Sequence, residues 1–218
     1  MQKYFDAHCH ITEFVDIPEN IGAITNATRI SEWDITIDMA CSHSHIFGAI
    51  GIHPWYVSDL PNDWDMQLYD LLIKKPNIMV GEIGLDAHRP DIATQTDVFV
   101  RQFEIAADLS RGVHVHCVGA WDKMQHVLKS HRSHLPPFIL FHRYSGNPMN
   151  IKRLANEYNA YFSYRDVTNK FICNTPYDRI LIESDSDNPV NVIVTATRMA
   201  DTGLDCDFYE NTKRMLTK

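Results

Sequence analysis

Short apolar runs recur along this chain, and most of them end in a histidine or an acid. Tyr4-Phe5 leads into Asp6-Ala7-His8-Cys9-His10, Phe47-Gly48-Ala49-Ile50-Gly51-Ile52 into His53, and Ile78-Met79-Val80 into Gly81-Glu82. Val113-His114-Val115 leads into His116, Phe138-Ile139-Leu140-Phe141 into His142, and Ile180-Leu181-Ile182 into Glu183-Ser184-Asp185. Runs this short, apolar and rich in β-branched residues are the pattern of strands buried on both faces of a parallel sheet. The segments 64–74, 94–111, 121–129, 151–158, 192–200 and 208–216 lie between or after them with helical spacing. Residues 32–39 form a weaker helix, because Ile35, Thr36 and Ile37 are β-branched or short. Tyr161-Phe162-Ser163 is short and strand-like. Pro18 and the shortness of 13–20 leave little room for a helix before Ile21-Gly22-Ala23-Ile24.

Alternating strands and helices predict a parallel sheet, either open and doubly wound or closed into a barrel. The position of the polar strand ends separates the two. A closed barrel gathers His8, His10, His53, Glu82, His116, His142 and Asp185 around one mouth, whereas an open sheet strings them along a line. The expected fold is therefore an α/β (β/α)8 TIM-like barrel. At 218 residues it sits within the lower range for that fold, as a single domain over residues 1–218 without linker or low-complexity segment.

Composition narrows the setting. No apolar run approaches the length of a membrane span, and the first residues lack the charged and apolar regions of a signal peptide, so a soluble cytoplasmic protein without a membrane is expected. The five cysteines are odd in number, scattered and without a CxxC, which predicts reduced thiols. A net charge of −8 gives no long-range attraction for nucleic acid, so such a substrate would depend on metals and a local basic patch. No obligate protein partner is evident. The 12 histidines are many for this length and ask for a chemical reason.

Strand alternation places Asp6, His8 and His10 on one face and Ala7 and Cys9 on the other. Two neutral imidazoles on one face can hold a divalent ion; the alternative is an edge strand with polar residues facing water. Glu82 ends an apolar strand, where a buried unpaired carboxylate costs several kcal/mol, so a metal is an economical partner; otherwise it serves a capped turn. His116 and His142 are ligands or satisfied core histidines. His114 shares the phase of His116 but lies deeper, as a core residue or one packed behind the ligands. Cys9 and Cys117 point away from their histidine neighbours. His43, His45, His126, His131 and His134 fall in helices or loops and are read as surface residues.

Taken together, Asp6-Ala7-His8-Cys9-His10, Gly51-Ile52-His53-Pro54, Gly81-Glu82-Ile83-Gly84-Leu85-Asp86, Val115-His116-Cys117, His142-Arg143-Tyr144-Ser145-Gly146 and Glu183-Ser184-Asp185 resemble, in order and along the whole chain, the signatures of TatD-type metal-dependent hydrolases. Residues 210–216 resemble that family's closing helix. The resemblance implies an amidohydrolase-like barrel with one or two divalent metal ions (Zn, Mn, Mg, Co or Ni) and hydrolysis of a phosphodiester, in a small molecule or in nucleic acid, as in a deoxyribonuclease. By the same carry-over His8, His10, Glu82 and Asp185 surround one ion, and Glu82 bridges to a second held with His116 and His142. Asp185 is the candidate general base. Asp6 and Glu183 stand behind the ligands, as a structural acid and an orienting acid, and His53, ahead of Pro54 at a strand end, either faces substrate rather than metal or is a turn residue.

Departures from the family bear on substrate. Val118 stands where members usually carry an arginine, so a phosphate contact is missing; Arg143 and Arg89 are replacement candidates, or else solvated surface residues. Ser186 and Asp187 follow Asp185 where a proline is usual. The segments after His10 and after the last strand are short, which implies a trimmed barrel with an open mouth. An amide, lactone or aminoacyl-ester hydrolase on the same site, and a divergent member that binds metal or ligand without turnover, stay as alternatives.

Overall fold

The computed structural model describes residues 3–14, 16–165, 169–204 and 206–217. Eight parallel strands follow one another around the sheet in sequence order: β1 (Tyr4–Cys9), β2 (Ile21–Asn26), β3 (Ile46–Ile50), β4 (Met79–Asp86), β5 (Val113–Val118), β6 (Ile139–Phe141), β7 (Ala160–Tyr164) and β8 (Ile180–Ile182). The sheet curls until its two ends meet. Just past β8 the Asp185 amide donates to the His8 carbonyl at 3.0 Å, and the His10 amide donates to the Ser186 carbonyl at 2.8 Å. Asp6 adds to this seam: its carboxylate accepts from the Ser184 amide at 2.9 Å and the Ser184 hydroxyl at 2.5 Å. The result is the nearly closed barrel that the strand-end pattern predicts.

Helices α1 (Trp33–Ser42), α2 (Trp64–Lys74), α3 (Ile92–Asp108), α4 (Trp121–Ser130), α5 (Ile151–Tyr158), α6 (Asn169–Ile172), α7 (Val192–Ala200) and α8 (Phe208–Leu216) account for the expected helical segments. Among the described residues no helix joins β1 to β2; Ile11 and Ile17 of that connection are buried against the outer core instead. Among the described residues, none of these helices is long and apolar enough to cross a membrane.

Two apolar layers hold the sheet. The outer one, between strands and helices, contains Ile50, Val80, Ile83, Phe99, Phe103, Val115, Phe141 and Phe162. The inner one fills one end of the barrel with Phe5, Ala7, Ile24, Ala49, Met79, Leu140, Tyr161 and Leu181, together with Met215 of α8. Each large side chain of these layers contributes roughly 1.5–3 kcal/mol through burial. In β6 the layers alternate residue by residue, with Ile139 and Phe141 outward and Leu140 inward.

Two strands break this alternation. The β1–β2 register shifts between Asp6 and Cys9, so Phe5 and Ala7 join the inner layer while Cys9 joins the outer one. His8 and His10 therefore turn inward, and Asp6 turns away from them to Ser184. This corrects the uniform alternation that put Asp6, His8 and His10 on one face: a bulge lets one extra residue through and reverses the phase. The β4–β5 register shifts between Val80 and Ile83, both of which face outward, so Gly81 and Glu82 both face the barrel axis. At Gly81 only a hydrogen fits, because a Cβ would lie 2.7 Å from the Cβ of His114 and 2.9 Å from Asn26 Oδ1.

Candidate metal centre

Above the inner apolar layer the strand ends converge on Glu82, which is 2% exposed. Its Oε2 lies 3.4 Å from both His8 Nε2 and His10 Nε2. Its Oε1 lies 3.3 Å from His53 Nε2, 3.1 Å from His116 Nδ1 and 2.7 Å from His142 Nε2. Asp185 Oδ1 lies 3.4 Å from His10 Nε2. The structure thus brings all six expected ligands together with His53. Each comes from a different strand or the residues just after it, except His8 and His10, which come from β1 and the residue that follows it.

For two of the rings, the hydrogen bond made at Nδ1 tells what Nε2 presents to the centre. His10 Nδ1 donates to the Asn26 carbonyl at 2.9 Å, so Nε2 faces Glu82 and Asp185, as a lone pair when the ring is neutral and as a donor when it is protonated. His53 has the opposite tautomer. Its Nδ1 accepts the Trp55 amide proton at 3.2 Å, so its Nε2 carries the hydrogen and donates toward Glu82. His53 thus presents an N–H to Glu82, whereas a neutral His10 presents a lone pair. His142 Nδ1 lies 3.7 Å from Glu183 Oε1, while Ser163 donates a hydroxyl hydrogen bond to Glu183 Oε2. His116 Nδ1 is 3.2 Å from His142 Nε2, and its far nitrogen is 3.6 Å from Asp86 Oδ2.

Charge follows from this crowding. Burial alone would raise the pKa of Glu82, but His142 and His53 outweigh it and hold the carboxyl well below the usual range. Burial pulls His10 down, yet Asp185 and Glu82 raise it to about 9. His142 is likewise pushed well above its ordinary value by Glu82 and Glu183 against the pull of burial. His8 and His53 are lowered, chiefly by burial. Asp185 is driven down by the His10 hydrogen bond despite its burial. Protons on His10 and His142 therefore supply the positive charge that the two carboxylates demand.

A cation would meet the same demand. His8 has both ring nitrogens buried without a hydrogen-bond partner, and His116 Nε2 and His142 Nδ1 are also buried without one. The ligand atoms of His8, His10 and Glu82 lie within 4.8 Å of one another, as do those of His8, His142 and Asp185 and those of His53, Glu82 and His116. Imidazole and carboxylate donors of this kind suit a divalent first-row ion.

Several contributors escape a reading of strand phase. Asp86 is buried, accepts from Trp55 Nε1 at 2.7 Å and from the His88 amide at 2.9 Å, and faces His116. Its signal was its place in the Gly81–Asp86 motif, four residues after Glu82. Ser163 and Asn26 act through a hydroxyl and a carbonyl that no residue pattern marks. Arg143 is half-exposed and donates to Asp185 Oδ2 at 2.8 Å, and Arg89 lies over the Trp55 ring at 4.3 Å. His114 is fully buried below the ring, stacked on His8 with centroids 5.7 Å apart. The mouth above these groups is a cavity of about 620 Å³ lined by His10, His53, Trp55, Val118, Arg143 and Asp185 among others.

Comparison with known proteins agrees with this geometry. A TatD homologue (YjjV) from Escherichia coli K12 superposes with a TM-score of 0.80 at 20% identity, covering 98% of this chain and 95% of that one. A TatD-family hydrolase from Entamoeba histolytica gives 0.76 at 14% identity, covering 99% and 96%. In sequence, the chain is 28% identical over 128 residues to the 3'-5' ssDNA/RNA exonuclease TatD of Escherichia coli K12, over 57% of this chain and 48% of that protein. It is 30% identical to an uncharacterized metal-dependent hydrolase of Mycoplasma genitalium, over 71% of this chain and 64% of the relative. It is 23% identical to the Cut9-interacting protein scn1 of Schizosaccharomyces pombe, over 85% and 87%. The model of the TatD related DNase family matches residues 5–192, and with the inward ring of histidines and carboxylates this places the chain in that family of metal-dependent hydrolases.

Proposed function

We propose that this protein hydrolyses phosphodiester bonds of nucleic acid, with one or two divalent ions held in the ring around Glu82. The observation that carries the reading is the division of that carboxylate: one oxygen faces His8 and His10, the other His116 and His142. His8, His10 and Asp185 would hold an ion on the first side, His116 and His142 on the second, and Glu82 would reach both. The donors accept Zn, Mn, Co, Ni or Mg, with the many imidazoles favouring the later ions. Such ions supply positive charge that lowers the pKa of a water molecule and neutralises charge on phosphate oxygens.

The chain's own groups do the rest. Asp185, at the inner edge of the mouth, accepts the proton of the attacking water. Arg143, already directed at Asp185, donates to a phosphate oxygen in place of the arginine that Val118 lacks. His53 lines the same mouth and faces the substrate beside the ring. Glu183 fixes the His142 ring, and Asp6 secures the strand that carries His8 and His10. The free thiols of Cys9, Cys41, Cys117 and Cys173 support a reducing, cytoplasmic setting. The direct test is hydrolysis of single-stranded DNA and of a chromogenic phosphodiester with Mn, Mg, Co or Zn. Activity that persists in Asp185→Asn after chelation would refute the mechanism. Val118 favours a second reading, an amide, lactone or aminoacyl-ester hydrolase on the same groups, which parallel assays with those substrates decide.

A further inference from the structure

Trp55 occupies an unusual place beside this site. It follows His53 in a 3-10 turn over Pro54–Tyr56, and both of its N–H groups are committed inward. The amide donates to His53 Nδ1 at 3.2 Å, and the indole N–H donates to Asp86 Oδ2 at 2.7 Å. That same Asp86 oxygen lies 3.6 Å from His116 Nε2. One carboxylate therefore separates the indole from the ring of candidate ligands. Yet Trp55 is 48% exposed and lines the mouth. Its polar edge is fixed, Arg89 lies over its ring, and the rest of its hydrocarbon surface is open at the mouth.

The surroundings repeat one pattern. The Arg89 guanidinium lies 4.3 Å from the centre of the Trp55 ring. Next in sequence, Tyr56 is 39% exposed and also lines the mouth, with the Arg29 guanidinium 5.3 Å from its ring. Aromatic rings interleaved with arginines are what single-stranded nucleic acid needs: a π-face for a base and positive charge for the backbone. Arg29 is itself paired with Glu32 at 2.7 Å, so on a chain of net charge −8 it is Arg89 that brings local positive charge for a nucleic-acid backbone to this face. A ring already held by its indole hydrogen bond, on a turn tied to His53 through the backbone amide, also loses little freedom when a base stacks on it.

We propose that the Trp55 indole is the stacking subsite for the base of the nucleotide flanking the scissile phosphate. This rests on the phosphodiester reading above. It makes the enzyme tolerant of base identity but dependent on a base being present, since every base has a π-face and an abasic sugar has none.

The test compares KM for a single-stranded oligonucleotide with KM for the same strand made abasic at its terminal nucleotides. It uses wild type, Trp55→Phe and Trp55→Ala, each checked for folding by circular dichroism. Wild type should discriminate against the abasic strand by about tenfold. Trp55→Phe, which keeps a ring, should retain most of that factor, and Trp55→Ala should lose it. Undiminished discrimination in Trp55→Ala overturns the proposal. So does equal loss in Trp55→Phe, which would assign Trp55 to its bond with Asp86 alone.

A second measurement needs neither turnover nor the alanine variant. Titration with a cleavage-resistant phosphorothioate strand should quench indole emission in wild type. The quench should be much smaller in Trp55→Phe and with the abasic strand; equal quenching by both strands overturns the stacking site. If wild type cleaves no strand, the phosphodiester reading fails, while the quench still decides whether a base rests on Trp55.

Discussion

The two ends of the barrel interior are built from the same strands and behave as opposites. At one end Phe5, Ile24, Ala49, Met79, Leu140, Tyr161 and Leu181 pack into an apolar plug. At the other, His8, His10, His53, His116 and His142 crowd around Glu82. Leu140 and His142 are two residues apart on one strand and its end. The plug gains free energy by excluding water, whereas the polar end gathers charges that are costly to bury and are balanced only by protons or a cation. Stability and chemistry are thus separated along the barrel axis, a division that substitutions can probe.

The largest effect should come from Glu82→Gln. Removing the shared carboxylate charge should abolish stoichiometric metal binding, measured by elemental analysis after dialysis, and hydrolysis with it. Asp185→Asn should reduce kcat by about 10²–10⁴-fold while the protein keeps its fold. If the two ends are independent, Leu140→Ala should cost about 2–5 kcal/mol in urea unfolding and leave metal affinity unchanged. A parallel loss of metal affinity would show that the plug shapes the site as well as supporting it. Glu183→Gln should weaken metal binding by about 10–100-fold through the His142 ring.

The smallest effect concerns pH. His10 has its folded pKa raised to about 9 from 6.5, so the stabilisation it gives the metal-free protein is complete below the unfolded value and is lost as pH rises through the folded one. Chelator-treated protein should therefore unfold at lower urea at pH 9.5 than at pH 6. His10→Asn should flatten that difference.

Much of this was readable from residues alone. Apolar runs ending in His116 and His142 locate β5, β6 and their inward ends, because in those strands the alternation is unbroken. That no helix joins β1 to β2 among the described residues was legible from Pro18 and the shortness of the segment. What could not be read was the phase of β1 and β4. A bulge leaves no mark in a list of residue types, so Asp6 looked like a neighbour of His8 and proved to be bound to Ser184. The tautomer of His53 and the Trp55–Asp86–His116 chain were equally hidden, since each depends on which hydrogen-bond partner the fold brings near.

The seam between β8 and β1 has a consequence for how the molecule comes into being. Asp6 and Ser184 are 178 residues apart, and the groups expected to share one ion, His8 and His10 on one side and Asp185 on the other, straddle the same join. Bringing such distant segments together is costly in chain entropy and belongs late in folding. The ring of candidate ligands is therefore complete only once the first and last strands have met. An ion bound there would act as a clasp on the finished barrel, and its removal should be felt first as faster amide exchange at His10 and Asp185.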